Sequence, residues 1–296
     1  MAGFLAMATG ACAQADSADA GRQVQERSVS GPGPSAAQHL LVVTEDPGDI
    51  GGRLFRMERV GGGESGGDPT PGEPGEPGQG AWRQVGDPIH VVVGRSGVGP
   101  KREGDGRSPE GVFELGPLFG YGQEPPAVMD VSAETSFPYQ SMAPGAVCVD
   151  DPASAYYNRV FDPDTLAESA AGAPEWNSFE AMRRDLVHGD DLYKWGVLVR
   201  YNDSTVPGAG SCIFLHIWRS PDSPTAGCTA MAEEDLLSVL GWLKRGPAGG
   251  PEVESQTEVE PSPGFSLQPL LVQGTRAYLE GLASEGVLPY RIPPSS

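Results

Sequence analysis

Two side chains in one short stretch can do nucleophilic chemistry: His216 and Cys228, within Ser211 to Met231, SCIFLHIWRSPDSPTAGCTAM. An imidazole exchanges protons near neutral pH and a thiolate attacks carbonyl carbon, so the pair is the minimum kit for a covalent acyl intermediate. The run Cys212 to Trp218 is apolar and rich in β-branched and aromatic residues, which predicts a buried strand. Side chains alternate along a strand, so Cys212, Phe214 and His216 share one face and Ile213, Leu215 and Ile217 the other. Pro221 and Pro224 break the pattern, and twelve positions separate His216 from Cys228, enough for the strand to end and a loop to return. The bland alternative is a satisfied core histidine and a cysteine acting as a small hydrophobe.

The elements that must position the pair are read from the flanking pattern. His39 to Thr44 and Arg53 to Val60 predict two strands, followed by Trp82 to Val85 and Ile89 to Gly94. Phe137 to Met142 and Ala146 to Asp151 read as strand pieces bordering a cleft, and Gly196 to Tyr201 as a strand beside Ser211 to Trp218. Phe179, Met182 and Leu186 at helical spacing predict a helix from Asn177 or Ser178 to about Val187. A second helix follows the cysteine loop. Glu233, Glu234 and Asp235 match its positive end, Lys244 and Arg245 its negative end, and Gly246 stops it. Leu236, Leu237, Leu240 and Leu243 form its predicted buried stripe. Leu267 to Gln273 and Thr275 to Ser284 give a last strand and a closing helix.

Lys101 to Phe113, KREGDGRSPEGVF, is a Gly/Pro turn cluster leading into a strand over Gly111 to Leu115. Such turns need glycine and aspartate for backbone reasons alone, so these residues are read as scaffold that shapes a site. Asp150 and Asp151 precede Pro152 and have no His or Cys ligand pattern nearby, so they read as turn chemistry and not as a metal site.

The two motifs together resemble the YkuD-type L,D-transpeptidase catalytic domain. That family carries a His, a loop and then Ser/Thr-His-Gly-Cys, here His216 and Thr225-Ala226-Gly227-Cys228. It also carries Lys-x-x-Gly-Asp-x-x-Ser/Thr-Pro-x-Gly, here Lys101 to Gly111. Ala226 stands where the family usually has a second His, and Ala230 where it usually has Arg; the loop is also a little shorter than usual. YafK-like members share the missing His and a Gly-Cys-x-Ala-Met ending like Gly227 to Met231.

The resemblance implies a mainly β domain with flanking helices, a β-sandwich or partly closed barrel, over residues 39–290. It implies Cys228 as nucleophile, His216 as base, and the N–H groups of Gly227 and Cys228 as oxyanion donors, with Thr225 orienting the loop. Trp218, Arg219 and Tyr139 are candidate substrate contacts, although Tyr139 reads equally well as an amphipathic wall residue. The implied substrate is the stem peptide of peptidoglycan, the acyl group passing to an amine or to water, with no cofactor and no metal. An L,D-carboxypeptidase or amidase on the same scaffold, and a catalytically silent wall-binding module, remain as alternatives.

Composition bounds the rest. The 296 residues carry a net charge of −20 and 17 arginines against three lysines, which excludes nucleic acid and anionic lipid as partners. No run reaches transmembrane length. Residues 1–38 read as a signal-like segment and a disordered tether, residues 61–80 and 246–264 as flexible insertions, and 291–296 as a tail. The segment Met1 to Ala15 predicts export, either with cleavage near Ala11-Cys12-Ala13 or with lipidation at Cys12. The expected location is therefore the periplasm or cell envelope. Of the four cysteines, Cys148 and Cys212 have apolar neighbours, so two buried free thiols are expected in preference to a disulfide.

Overall fold

The computed structural model describes residues 36–60, 81–129, 138–164, 176–243 and 269–294. The expected signal segment with Cys12, most of the tether, and the insertions 61–80 and 246–264 lie outside the described residues.

Fourteen strands and three helices are found among them. The chain begins with β1 (Gln38–Thr44), β2 (Gly51–Arg59) and β3 (Trp82–Val92), an antiparallel meander. The two strand pieces expected after Trp82 are one strand, irregular near Gly86, where φ is +67° and the register with β2 shifts. Two short pieces, β4 (Val98–Gly99) and β5 (Ser108–Pro109), pair with each other before β6 (Gly111–Gly120). Then come β7 (Tyr139–Ser141), β8 (Val147–Val149), β9 (Val160–Phe161), β10 (Phe179–Ala181), α1 (Arg184–Val187), β11 (Trp195–Val199), β12 (Phe214–Ile217) and β13 (Thr229–Met231). The chain closes with α2 (Glu233–Trp242), β14 (Leu270–Thr275) and α3 (Arg276–Ser284).

Nine strands form one sheet in the order β11-β12-β13-β3-β2-β1-β14-β6-β7. Because β6 also pairs with β11, eight of them close on themselves. One edge of β6 serves β14 through Gly111 to Glu114, and its other edge serves β11 from Leu115 onward. Closure removes the exposed edges an open sheet would carry. The mainly β, partly closed barrel expected from the sequence is found.

The core follows strand alternation. On β1, Leu40 and Val42 join Leu54, Val91, Leu215 and Ile217 in one apolar cluster, which α2 covers with Leu236, Val239 and Leu240. Leu41 and Val43 face the other way, against Phe55, Val272 and α3's Leu279 and Leu282. A strand covered on both faces reads as a continuous apolar run, as Leu40 to Val43 does. The helix expected after the cysteine loop is present but ends at Trp242, with no basic residue in its last turn. Lys244, Arg245 and Gly246 lie outside the described residues, Val239 joins the buried stripe and Leu237 is half-exposed.

A separate small sheet, β10-β8-β9, holds the first correction. Residues 177–187 are not one helix: Phe179 to Ala181 pair antiparallel with Val147 to Val149, and only Arg184 to Val187 are helical. Asn177 does not cap a helix. Its N–H and side-chain amide both donate to the Asp151 carboxylate, at 2.7 and 2.9 Å. Phe179 is 52% and Leu186 59% exposed while Met182 is fully buried, so the three do not share one buried helix face.

The second correction is covalent. Cys148 and Cys212 are disulfide-bonded, Cα atoms 6.0 Å apart, and Cys228 is free. Cys212 does not belong to the strand. Its φ is +55°, and its N–H donates to the side chain of Asn158 at 2.9 Å. That left-handed turn takes Cys212 out of the alternation assumed for it, and brings it to β8. A bridge spanning 64 residues stabilises by roughly 4 kcal/mol in the chain-entropy account. Replacing both cysteines by alanine is expected to lower unfolding stability by about that amount. Alkylation of the denatured, unreduced protein should mark Cys228 and leave Cys148 and Cys212 unmarked until reduction.

Candidate active site

The cysteine loop joins two parallel neighbours, β12 and β13, with Leu215 opposite Thr229 and His216 opposite Ala230. The same register sets Cys228 one step before β13 beside Phe214, whose N–H donates to Sγ at 3.4 Å. The Cys228 thiol in turn donates to the carbonyl of Cys212, also at 3.4 Å. Phe214 and His216 lie on the same face of β12 by alternation, so thiol and imidazole address the same space. Both line a cavity of about 320 Å³.

The turn before Cys228 is pinned from two sides. The Thr225 hydroxyl donates to the Cys228 carbonyl at 2.6 Å and accepts from the Gly227 N–H at 3.1 Å. The Ser108 hydroxyl donates to the same carbonyl at 2.9 Å, and itself accepts from the Gly94 N–H at 2.9 Å. Thr225 also bonds through its backbone to Val93 and Arg95, at the end of β3. The Lys101 to Gly111 motif is thereby built into the back of the cysteine turn. Glycine is required at Gly227 because a Cβ there would come within 2.9 Å of the Arg107 carbonyl. Beyond Cys228, Thr229 bonds Gln273 of β14 at 2.5 Å, and Gln273 reaches the Pro109 carbonyl at 2.8 Å, all buried.

His216 Nδ1 lies 2.8 Å from the Ile217 carbonyl. A carbonyl only accepts, so Nδ1 carries the hydrogen and Nε2 holds the basic lone pair. Burial, partly offset by the backbone of Ile217 and Leu192, lowers the imidazole pKa to about 4. Burial, reinforced by the nearby charge of Glu180, raises the Cys228 thiol well above its ordinary range, while the Phe214 N–H and Lys101 oppose that rise. At neutral pH the pair is therefore a neutral thiol beside a neutral imidazole.

Trp218, Arg219, Thr225 and Gly227 line the cavity with the pair. Trp218 is set edge-on to His90, ring centroids 5.3 Å apart, and Arg219 lies 3.6 Å from Asp190. Tyr139 does not line this cavity, and its hydroxyl donates to the Gly122 carbonyl at 2.7 Å. Sequence reasoning missed Tyr193, Glu180 and Arg184. The buried Tyr193 ring meets His216 edge-on at 5.0 Å and its hydroxyl donates to Glu180. Arg184 lies over the Tyr193 ring at 5.3 Å and grips Asp190 with two bonds, at 2.8 and 2.7 Å. The one local signal, Glu180 and Arg184 four apart, also fits a helix surface. Among the described residues no group of His, Cys, Asp and Glu is placed to hold a metal ion. Nor is any helix there long and apolar enough to cross a membrane.

Two buried histidines tie stability to pH. His39, fully buried, has its pKa lowered to about 3 by burial, and His216 to about 4. Both bind a proton more weakly folded than unfolded. Their stabilisation is complete above the unfolded pKa of about 6.5 and is lost as pH falls from there toward 4, by about 3 kcal/mol for His216 alone. Urea midpoints measured from pH 8 down to 4.5 should fall, and His39→Phe should flatten that fall.

A family model for YkuD, the L,D-transpeptidase catalytic domain, matches residues 76–254, more than half of the chain. Comparison with curated proteins and with solved structures found no match. The matched stretch contains the Lys101 to Gly111 turn, the cavity and the cysteine loop, while β1, β2 and β14 extend the same sheet beyond it. Motif, ring of strands and match agree, and the chain belongs to the YkuD L,D-transpeptidase catalytic domain family.

Proposed function

We propose that this protein is a cysteine-dependent L,D-transpeptidase acting on peptidoglycan stem peptides through an acyl-enzyme at Cys228. The observation that carries the reading is a free thiol on the same face and cavity as an imidazole whose Nδ1 is held by the Ile217 carbonyl. His216 Nε2 takes the thiol proton as the Cys228 sulfur bonds to the carbonyl carbon. The Cys228 N–H is the candidate oxyanion donor, since the Gly227 N–H is engaged by Thr225. The tetrahedral centre collapses, the C–N bond breaks, and His216 returns its proton to the departing amine. In the second half an amine or water gives its proton to His216 as it attacks the thioester, and the sulfur leaves and is reprotonated.

Hydrolysis is the second reading. Ala226 and Ala230 line the cavity, small side chains where the family resemblance leads one to expect His and Arg. The Cys148–Cys212 bridge supports an exported, envelope-located protein, because disulfides persist in oxidising compartments.

Mass spectrometry of the protein incubated with a disaccharide-tetrapeptide tests the reading. An acyl adduct on Cys228 is expected, followed by an amine-linked product for a transferase or a free acid for a hydrolase. Cys228→Ala should keep the fold and lose the adduct, and His216→Gln should slow acylation by roughly 10²–10⁴-fold. A Cys228→Ala protein with substantial turnover removes the nucleophile assignment.

A further inference from the structure

A thiol buried among apolar side chains and faced by a neutral imidazole ionises with difficulty, so a fixed positive charge nearby matters more than it would in water. Lys101 is such a charge. It is 4% exposed, and its ammonium donates to Asp105 at 2.8 Å and to the Arg102 carbonyl at 3.1 Å. Asp105 in turn accepts the N–H groups of Arg102 and Arg107, at 2.7 and 2.9 Å. The ion pair is thus built into its loop. The lysine stem is wedged between the two segments that deliver the site: a Cβ on Gly210 would meet its Cγ at 2.8 Å, and a Cβ on Gly227 would meet its Nζ at 3.1 Å. The ammonium therefore lies against the backbone of the residue that precedes the nucleophile.

If the turn needed only filling, an apolar side chain of the same length would serve without the cost of burying a charge. We propose that Lys101 is a positioning residue of the reaction, its ammonium set behind the Gly227–Cys228 turn to favour the thiolate and the oxyanion that forms beside it. Other charged groups face the same cavity, Asp150 together with Arg95, Arg184 and Arg219. Glu180 on β10 opposes the thiolate, Tyr193 donates to Glu180, and His216 is neutral. On the lysine side Glu103 is held by the Tyr157 and Ser211 hydroxyls at 2.5 and 2.6 Å, and the Tyr201 hydroxyl donates to the Ala209 carbonyl.

The inference rests on Cys228 as nucleophile, and its test needs no substrate, so either can fail alone. The rate of Cys228 alkylation by iodoacetamide, followed from pH 6 to 10 by peptide mapping, reports the thiolate fraction. Lys101→Met is expected to slow labelling about tenfold at each pH, while Lys101→Arg retains most of the rate. Asp105→Asn, which frees the ammonium from its counter-ion, should change the rate in the opposite direction and speed labelling. A folded Lys101→Met protein that labels at the wild-type rate overturns the proposal. Should Lys101→Met fail to fold, Asp105→Asn decides alone: faster labelling supports the role, and an unchanged or slower rate overturns it.

Discussion

The backbone carbonyl of Cys228 accepts two hydroxyl groups, from Thr225 within its own turn and from Ser108 across the fold. The rest of the site is arranged around that shared acceptor. Thr225 sets the shape of the turn, and Ser108 sets where the turn sits relative to β3 and β5. A nucleophile must be held to within a fraction of an ångström to react, and loops alone seldom do this. Here an eleven-residue connection between parallel strands is tied at its end to buried backbone, so it inherits the rigidity of the barrel. Gln273 extends the same network beyond Cys228 by bridging Thr229 to Pro109.

The electrostatics follow from burial. Desolvation moves the thiol and the imidazole in opposite directions, and both movements favour the neutral pair. A standing thiolate–imidazolium pair is thereby disfavoured at this site. Glu180 stays close to this centre while engaged by the Tyr193 hydroxyl and near Arg184, so its charge is answered mainly by neighbours other than Cys228 and His216.

Much of this was legible in the sequence where local chemistry decides the structure. Period-two alternation over Phe214 to Ile217, the prolines after it and the glycine before Cys228 each act through neighbouring residues, and each held. The failures lie where distant segments decide. Phe179, Met182 and Leu186 repeat at helical spacing, yet β8 needed a partner and took Phe179 to Ala181 into a ladder. The disulfide was unreadable because Cys212 adopts a left-handed conformation that a non-glycine residue reaches only with help, here from Asn158. Tyr193 reached His216 through tertiary packing, which no spacing along the chain records.

The parallel pairing of β1 with β14 has a consequence for how the protein comes into being. His39 lies opposite Leu270, so the first and last strands of the ring are neighbours across almost the whole chain. Contacts of such separation form late, since a long loop must close before they stabilise anything. Until the C-terminal strand is present, β1 and β6 each lack a partner along one edge, and Thr229 lacks Gln273. The buried tie from Thr229 through Gln273 to Pro109 is therefore complete only once β14 is in place. Residues between Arg95 and Ala230 line the cavity, so the strand that completes the tie behind Cys228 adds nothing to its walls.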